Sequence, residues 1–373
     1  MLPKAASLPG QFFKTDTNFR ATLITRHSLF IIDQISFLCF INLFLNNMKK
    51  TIALVTGGFS GESVISYKTA ITIKNNIDPE KWICYTIDIN PAGWFYDAPT
   101  GEKIVVDKND FSILVNNKKV LFDAVLIGLH GTPGEDGKLQ GYFDCLHIPY
   151  TSCSAATSAI TFNKRYTVAV AAFGGINVAR SMHLFKHTPV AVSDILGALK
   201  LPVFVKPNNG GSSIGMSKVN EAAGLQEALD KAFKEDEQVL AEEFIKGREF
   251  TIGVFKSKGK VIALPMTEVI TKREFFDFEA KYAGASEEIT PAQIDETTAQ
   301  KIRDAATKAY AIFNCSGVVR IDFIYDEASG QPYMLEINTV PGQSEASIVP
   351  QQVKAMGWSL KEFYSALIEE ALV

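Results

Sequence analysis

The sequence predicts an α/β protein of more than one domain, with an open sheet near its N-terminal end. Short apolar runs alternate with helical patterns over residues 51–150, which is typical of an open α/β sheet. The chain has 373 residues, and at ~100–200 residues per domain this length indicates two or three domains. With 47% apolar and 21% charged residues, the composition excludes a disordered, collagen-like or disulfide-scaffold protein.

The first region, residues 48–152, carries the clearest alternation. Residues 51–56 form an apolar run that closes at a Gly-Gly pair, as expected of a buried parallel strand entering a loop. Further along, apolar residues recur at helical spacing after residue 135. We therefore expect two more strands, at 82–89 and 120–129, and two helices, at 62–76 and 135–147.

Two further regions follow, and we place their boundaries at residues 153–241 and 242–373. The second region mixes helices with short strands: helices at 154–173, 188–199 and 221–234, and strands at 202–206 and 238–245. The third is richer in hairpins: strand pairs at 250–255 with 261–264 and at 318–325 with 333–338, and one helix at 291–313. Residues 271–290 show no pattern, and a loop of that length inside a domain is usually functional, often a lid.

Residues 1–47 differ in composition from the rest. They hold 7 of the 26 Phe residues, and residues 28–45 are almost wholly apolar. Three interpretations stay open: a true gene start at Met48, a membrane anchor, or an amphipathic extension. We favour the first, because every domain-like pattern begins at residue 51. Asp33 counts against the anchor, since a buried carboxylate costs about 2.5–3.5 kcal/mol at the centre of a membrane.

Charge and cysteine usage narrow the class of partner and the compartment. The formal net charge is −4, so no basic field points to nucleic acid. The five cysteines are scattered without a CxxC or metal-type spacing, which is typical of structural thiols in a reducing compartment. We expect a cytoplasmic protein without membrane contact over residues 48–373.

The last predicted hairpin carries the strongest group of polar residues. Side chains alternate between the two faces of a strand, so Arg320 and Asp322 share one face, and Glu336 and Asn338 share a face of the partner strand. Two carboxylates and an amide oxygen are hard ligands that suit Mg²⁺. The alternative is an ordinary solvated hairpin face.

Two other segments carry residues that suit a nucleotide. Lys206 ends an apolar strand and a Gly/Ser loop follows it to residue 215, where backbone N–H groups and hydroxyls can cradle phosphates. Glu242, Glu243 and Glu249 follow the next strand and could accept from ribose hydroxyls or an adenine amino group. The alternatives are a flexible surface loop and a polar linker.

Loops at strand ends offer groups for a small substrate. Glu62 could hold an ammonium group or act as a favourable acid in the first turn of a helix. His130 could polarise a substrate, although a lone loop histidine is more often structural. Gly342 could donate a backbone N–H to a developing oxyanion, and Lys281 and Tyr282 lie in the suspected lid.

Eight motifs in order resemble the ATP-grasp superfamily, and more closely the D-alanine–D-alanine ligase family. They cover essentially all of residues 48–373 and nothing before. The motifs are GGFSGESVIS (57–66), HGTPGEDGKLQG (130–141), FNKRYT (162–167), PVFVKPNNGGSSIGMSKV (202–219), VLAEEFIKGREFT (239–251), FDFEAKY (276–282), VVRIDF (318–323) and MLEINTVPGQSEASIVP (334–350). The resemblance implies a three-domain ATP-grasp fold whose N-terminal domain is an open, Rossmann-like α/β unit.

The resemblance also implies an activity and its partners. Such enzymes join two D-alanines with hydrolysis of ATP to ADP and phosphate, through an acyl phosphate formed on the first D-alanine. The expected partners are ATP, two molecules of D-alanine, Mg²⁺ or Mn²⁺ as two ions, and a second copy of the chain in a homodimer.

Roles carry over to matching positions. For metal and nucleotide, the resemblance implies Mg²⁺ ligands at Asp322, Glu336 and Asn338, phosphate lysines at Lys164, Lys206 and Lys281, and adenosine contacts at Glu242, Glu243, Ile245 and Glu249. For the amino acids, it implies the first ammonium at Glu62, substrate contact at His130, an oxyanion pair at Arg320 and Gly342, and the second carboxylate at Ser347 and Ile348. Ser212 and Tyr282, with Glu62, match a hydrogen-bonded trio that closes the lid.

Two departures and three alternatives accompany the resemblance. Gln343 stands where the family usually has methionine, and with Glu345 it could reshape the second-substrate pocket; Glu243 stands where several relatives have lysine. The alternatives are a ligase that takes D-lactate as second substrate, a nucleotide-binding regulator without turnover, and a membrane-anchored form. The D-lactate ligase conflicts with the presence of both Lys281 and Tyr282, because such variants alter this pair. The regulator without turnover conflicts with the intact set of catalytic and metal-binding positions, which are Arg320, Asp322, Glu336 and Asn338.

Overall fold

The computed structural model describes residues 49–210, 214–271 and 286–373. Three predicted site residues, Ser212, Lys281 and Tyr282, lie outside these ranges, as does the extension before residue 48. Residues Lys50–Val373 form one compact unit. Within the described ranges, no helix is both long enough and apolar enough to span a membrane.

The first sheet forms from the N-terminal part of the chain. Its strands are β1 (Lys50–Gly57), β2 (Trp82–Asn90), β3 (Gly93–Asp97) and β4 (Lys103–Val105), while β5 (Ile113–Val115) and β6 (Lys118–Val120) form a separate hairpin before β7 (Ala124–Ile127). The order across the sheet is β4-β3-β2-β1-β7. β1 is parallel to β2 and β7, so the loops after β1 and β7 leave the sheet at the same edge.

Two helices pack on this sheet, and the bounds of two predicted elements need correction. They are α1 (Ser63–Asn76) and α2 (Lys138–Cys145). The predicted strand at 120–129 was too long, because residues up to 120 belong to the β5–β6 hairpin. The predicted helix at 135–147 begins three residues later, because Gly137 has φ +85°, a left-handed conformation that ends the preceding loop. The antiparallel edge strands β3 and β4 were not predicted.

The second sheet is antiparallel. Its strands are β8 (Ser181–Phe185), β9 (Val203–Pro207), β10 (Ser217–Val219) and β11 (Gln238–Glu243), in the order β10-β9-β11-β8. The helices of this part are α3 (Ala155–Phe162), α4 (Lys164–Phe173), α5 (Val192–Ala198) and α6 (Leu225–Glu235), and the first two precede the sheet. The single helix predicted at 154–173 is wrong. Asn163 has an extended backbone, and its side-chain oxygen accepts the Tyr166 N–H at 3.2 Å, which starts a new helix at Lys164.

The third sheet contains the predicted hairpins. Its members are β12 (Arg248–Ser257), β13 (Lys260–Ala263), β14 (Thr267–Thr271), β15 (Ser286–Ile289), β16 (Val318–Asp326) and β17 (Gln331–Asn338), with helices α7 (Glu296–Ile312), α8 (Ile348–Ala355) and α9 (Leu360–Ala371). The order is β15-β14-β12-β16-β17, and β13 pairs with β12.

Two predictions for this region need correction, and two helices were missed. The ends of the loop predicted at 271–290 belong to paired strands, β14 and β15, and the rest of it lies outside the described residues. The helix predicted from residue 291 begins at Glu296, because the Asp295 carboxylate accepts the Thr298 N–H at 3.0 Å and caps it. The C-terminal helices α8 and α9 were not predicted.

Two apolar clusters hold the third sheet in place. α7 packs on one face of the sheet, where Val319, Ile321 and Phe323 are fully buried. In the second cluster, Phe363 and other residues of α9 join β12 to Ile52 and Leu54 of β1. The C-terminal helix therefore packs against the first sheet as well as the third, and brings their loops to one region.

Candidate active site

A cavity of about 800 Å³ is lined by every predicted site residue that the structure describes. Its walls come from the loops after β1 and β7, from β9 and β11, and from one face of the third sheet with the loop after β17. The residues gathered here are Glu62, His130, Lys164, Lys206, Glu242, Glu243, Ile245, Glu249, Arg320, Asp322, Glu336, Asn338, Gly342, Ser347 and Ile348.

The β16–β17 register confirms the predicted pairing of polar residues. Asp322 lies opposite Glu336, and Arg320 lies opposite Asn338. Because the alternate residues of β16 are buried against α7, the polar residues are directed to the cavity. The face is therefore not an ordinary solvated one.

Arg320 and Asp322 form a two-point ion pair inside the cavity. Arg320 Nε donates to Asp322 Oδ1 at 2.9 Å, and Nη2 donates to Oδ2 at 2.8 Å. The Thr251 hydroxyl donates to the same carboxylate, and Asn338 Nδ2 lies 3.4 Å from it. Although burial opposes the charge, Asp322 raises the pKa of Arg320, so the guanidinium stays charged. The sequence placed both residues on one face but did not reveal their pairing.

The donor set around Asp322 fits a hard divalent cation. Asp322 and Glu336 supply carboxylates, and Asn338 supplies an amide oxygen. In the described part of the chain, no group of three His, Cys, Asp or Glu residues could hold a metal ion. Two carboxylates with an amide are nevertheless enough for Mg²⁺, which usually completes its shell with water and substrate phosphates.

Two lysines approach the cavity from the second sheet and α4. Lys206 Nζ lies 2.5 Å from Glu242 Oε1, and both side chains are almost buried. Lys164, at the start of α4, donates to the Gly210 carbonyl at 2.6 Å, which connects that helix to the loop after β9. Glu243 instead accepts the Lys200 N–H at 2.9 Å. The pairing of Lys206 with Glu242 was not predicted, because it depends on β9 and β11 being neighbours.

A second ion pair in the wall was also missed. Arg248 donates to both carboxylate oxygens of Glu268, at 2.7 and 2.8 Å, and both residues line the cavity beside Glu249. Arg248 and Glu268 lie on β12 and β14, which the register places side by side. The sequence carried no signal for this pair, since β14 itself was not predicted.

Glu135 is a second carboxyl near Glu62. Its Oε2 accepts the Gly131 N–H at 3.0 Å. Burial, together with the nearby charge of Glu62, raises the pKa of Glu135 to about 8. Gly131 has φ +68°, and a Cβ there would collide with the Glu62 carboxylate. The motif at 130–141 contains Glu135, but its spacing could not show that this residue rather than Asp136 faces the cavity.

His130 joins the first sheet to the loop after β17. The residue is 6% exposed, and its Nδ1 lies 2.8 Å from the Val340 carbonyl oxygen. Burial lowers the pKa of His130 to about 4, with a smaller contribution from the charge of Arg320. The ring is therefore neutral at physiological pH and acts as a link between two loops.

Ser347 and the neighbouring loop form one end of the cavity. Ser347 precedes α8, and its Oγ lies 2.7 Å from Ser344 Oγ. A Cβ at Gly342 would lie 3.0 Å from Ser347 Oγ, so the position has little room for a side chain. Neither Gln343 nor Glu345 is one of the described residues that line the cavity, and Gln343 is only 2% exposed. The Gln343 side chain is therefore buried and does not form part of the wall at this end.

Comparison with known proteins agrees with this geometry. Residues 51–153 match the family model described as D-ala D-ala ligase N-terminus, and residues 164–369 match D-ala D-ala ligase C-terminus. The chain belongs to the D-alanine–D-alanine ligase family. A D-alanine–D-alanine ligase of Parabacteroides distasonis is 45% identical over 325 residues, which cover 87% of this chain and 98% of the relative. One of Flavobacterium johnsoniae is 41% identical and covers 87% and 99%.

Solved structures place the fold in the same family. The VanG D-Ala:D-Ser ligase from Enterococcus faecalis has a TM-score of 0.78 and 30% identity, covering 87% of this chain and all of that one. A D-alanine–D-alanine ligase from Bacillus anthracis complexed with ATP has a TM-score of 0.69 and 27% identity, covering 87% and 97%. The predicted ATP-grasp fold is thereby confirmed.

The raised pKa of Glu135 predicts a pH-dependent stability. The folded protein holds a proton on Glu135 up to about pH 8, whereas the unfolded chain loses it near its ordinary value of 4.5. The unfolding free energy should therefore fall between these pH values. Glu135→Gln removes this loss, so the melting temperature of the variant relative to wild type should rise from pH 6 to pH 8 and then level off.

Thermal unfolding in a pH series measures this difference. The exposed Glu80→Gln variant is the matched control and reports the effect of removing a surface carboxylate. A difference for Glu135→Gln that stays constant or shrinks as the pH rises would contradict the assignment.

Proposed function

We propose that this protein joins two D-alanines to D-alanyl-D-alanine, with ATP hydrolysed to ADP and phosphate, for the synthesis of peptidoglycan precursors. One observation carries the proposal: a single cavity holds the Arg320–Asp322 pair, two lysines and the carboxylates Glu62 and Glu336. Phosphoryl transfer between anions requires positioning and charge neutralisation more than a protein nucleophile, and this set supplies both.

The nucleotide end of the cavity is proposed at the second sheet and β12. Lys164 and Lys206 are placed to meet phosphate oxygens, and Glu242, Glu243, Ile245 and Glu249 line the wall proposed for adenosine. Asp322, Glu336 and Asn338 would hold Mg²⁺ or Mn²⁺, as two ions. When bound, these ions neutralise charge on the phosphates.

The first D-alanine is proposed to lie near Glu62, whose carboxylate attracts the ammonium group. A carboxylate oxygen of this D-alanine attacks the γ-phosphorus of ATP, and the bond from phosphorus to the ADP oxygen breaks. Ser212 and Tyr282 are proposed to act with Glu62 in closing the site, and Lys281 is proposed to contact the γ-phosphate. His130 completes the substrate wall through its bond to the Val340 carbonyl.

The second D-alanine is proposed to place its carboxylate at Ser347 and Ile348. Its amino group, after loss of a proton, attacks the acyl carbon, and phosphate leaves. The oxygen of the tetrahedral adduct becomes negative, and Arg320 with the Gly342 N–H would stabilise it. Arg320 can do so at any working pH, because Asp322 keeps it charged.

We also propose a cytoplasmic homodimer. α1 presents Val64, Tyr67 and Ile71 to solvent at spacings of three and four residues, and each is more than two-fifths exposed. Such a stripe, opposite the buried face of the same helix, suits contact with a second copy.

D-Serine is an alternative to D-alanine as the second substrate, because the VanG relative is named a D-Ala:D-Ser ligase. Phosphate release from ATP with Mg²⁺ should require D-alanine, and L-alanine should not replace it. With D-alanine, D-serine and D-lactate offered together, mass spectrometry should find D-alanyl-D-alanine as the main product. No stimulation by D-alanine, or equal stimulation by L-alanine, would exclude the proposed function.

Arg320→Ala tests the oxyanion role. The variant should lose turnover by roughly 10²-fold or more, since removing one such donor typically costs about 2.7–4 kcal/mol, while it still binds ATP. Arg303→Ala is the matched control, because Arg303 is paired with Glu296 on α7. An Arg320→Ala variant with wild-type turnover would show the role to be wrong.

A further inference from the structure

Thr69, on the buried face of α1, bonds to two loops at once. Its Oγ1 lies 2.8 Å from His130 Nε2 and accepts the Gln343 N–H at 3.2 Å. The residue is fully buried, so water does not compete for these bonds. His130 in turn bonds to Val340 through its other ring nitrogen, at 2.8 Å.

Chemistry sets the direction of each bond. The Val340 carbonyl can only accept, so His130 Nδ1 carries the proton. The ring is neutral at physiological pH, so Nε2 is an acceptor and the Thr69 hydroxyl must donate to it. The Thr69 oxygen then accepts from the Gln343 N–H. Each donor in this series of hydrogen bonds has an acceptor, and only the His130 tautomer with its proton on Nδ1 allows all of them.

The series of hydrogen bonds Val340–His130–Thr69–Gln343 begins and ends on the same short loop. Val340 and Gln343 lie on either side of Gly342, and the hydrogen bonds connect them through α1 and the loop after β7. The Ser66 hydroxyl also accepts the His130 N–H at 2.8 Å, which fixes the backbone of the histidine to the same helix. The loop at 340–343 is therefore held from the first sheet, rather than only by β17.

We propose that Thr69 is a positioning residue of the ligation reaction, which holds the 340–343 loop so that the Gly342 N–H meets the developing oxyanion. The inference rests on the proposed function. Thr69 acts through His130 and Gln343 and needs no contact with substrate. Because the loop's N–H is needed most when charge develops, loss of Thr69 should affect kcat more than the KM for ATP or D-alanine.

Thr69→Val removes the hydroxyl while keeping the shape of the side chain. We expect kcat to fall by about 10- to 100-fold, less than or equal to the loss for removing an oxyanion donor itself, with the KM for ATP within about twofold. Thr69→Ser keeps the hydroxyl and should retain near wild-type kcat. Thr72→Val is the matched control on the same helix, because the Thr72 hydroxyl donates to the Lys68 carbonyl within that helix.

Amide hydrogen exchange gives a second measurement that does not depend on turnover. Peptides covering residues 340–343 should exchange faster in Thr69→Val than in wild type or Thr69→Ser, while peptides of β12 should be unchanged. If Thr69→Val fails to fold, Thr69→Ala, which leaves room for a water molecule, replaces it in both measurements.

The outcomes separate the two proposals. Unchanged exchange at 340–343, or faster exchange with wild-type kcat, would overturn the role of Thr69 and leave the proposed function standing. Wild-type protein without D-alanine-dependent phosphate release would overturn the proposed function and the catalytic role of Thr69 with it. Equal losses of kcat in Thr69→Val and Thr69→Ser would show a packing role and also overturn the proposal.

Discussion

The two-point ion pair between Arg320 and Asp322 is the interaction around which the cavity is organised. It brings a guanidinium and a carboxylate into contact on one face of β16, directly across from Glu336 and Asn338. The opposite face of the strand is buried against α7, so the polar face cannot turn away. The pair keeps Arg320 charged, and the hydroxyl of Thr251 helps to hold Asp322 in place. A site that handles several anions depends on such fixed positive charge.

The second constraint is the connection between the first sheet and the third. α9 packs against β1 and β12 together, and the His130–Val340 bond joins the loops above them. Glu62, on one side, and Gly342, on the other, therefore face one cavity although 280 residues of sequence separate them. In the proposed reaction, these two positions contact the same amino acid, Glu62 at its ammonium group and the Gly342 N–H at the oxygen of its reacting carboxyl group.

Much of this arrangement could be predicted from the sequence, because strand alternation and loop position depend on local patterns. The faces of β16 and β17 followed from a period of two, and the loops at Glu62 and His130 followed from parallel strands ending at one edge. The pairs Arg248–Glu268 and Lys206–Glu242 could not be predicted, since each joins strands whose neighbours are decided by the tertiary fold. The helix break at Asn163 was hidden in an alanine-rich run, and the buried position of Glu135 depends on burial that no spacing records.

Oxygen transfer from substrate to phosphate tests the central claim most directly. D-alanine labelled with ¹⁸O in its carboxylate is turned over with ATP, and the released phosphate is analysed by mass spectrometry. If the carboxylate attacks the γ-phosphorus in this cavity, each phosphate will carry one ¹⁸O atom from D-alanine. Phosphate without the label, formed while D-alanyl-D-alanine accumulates, would show that the acyl phosphate is not formed.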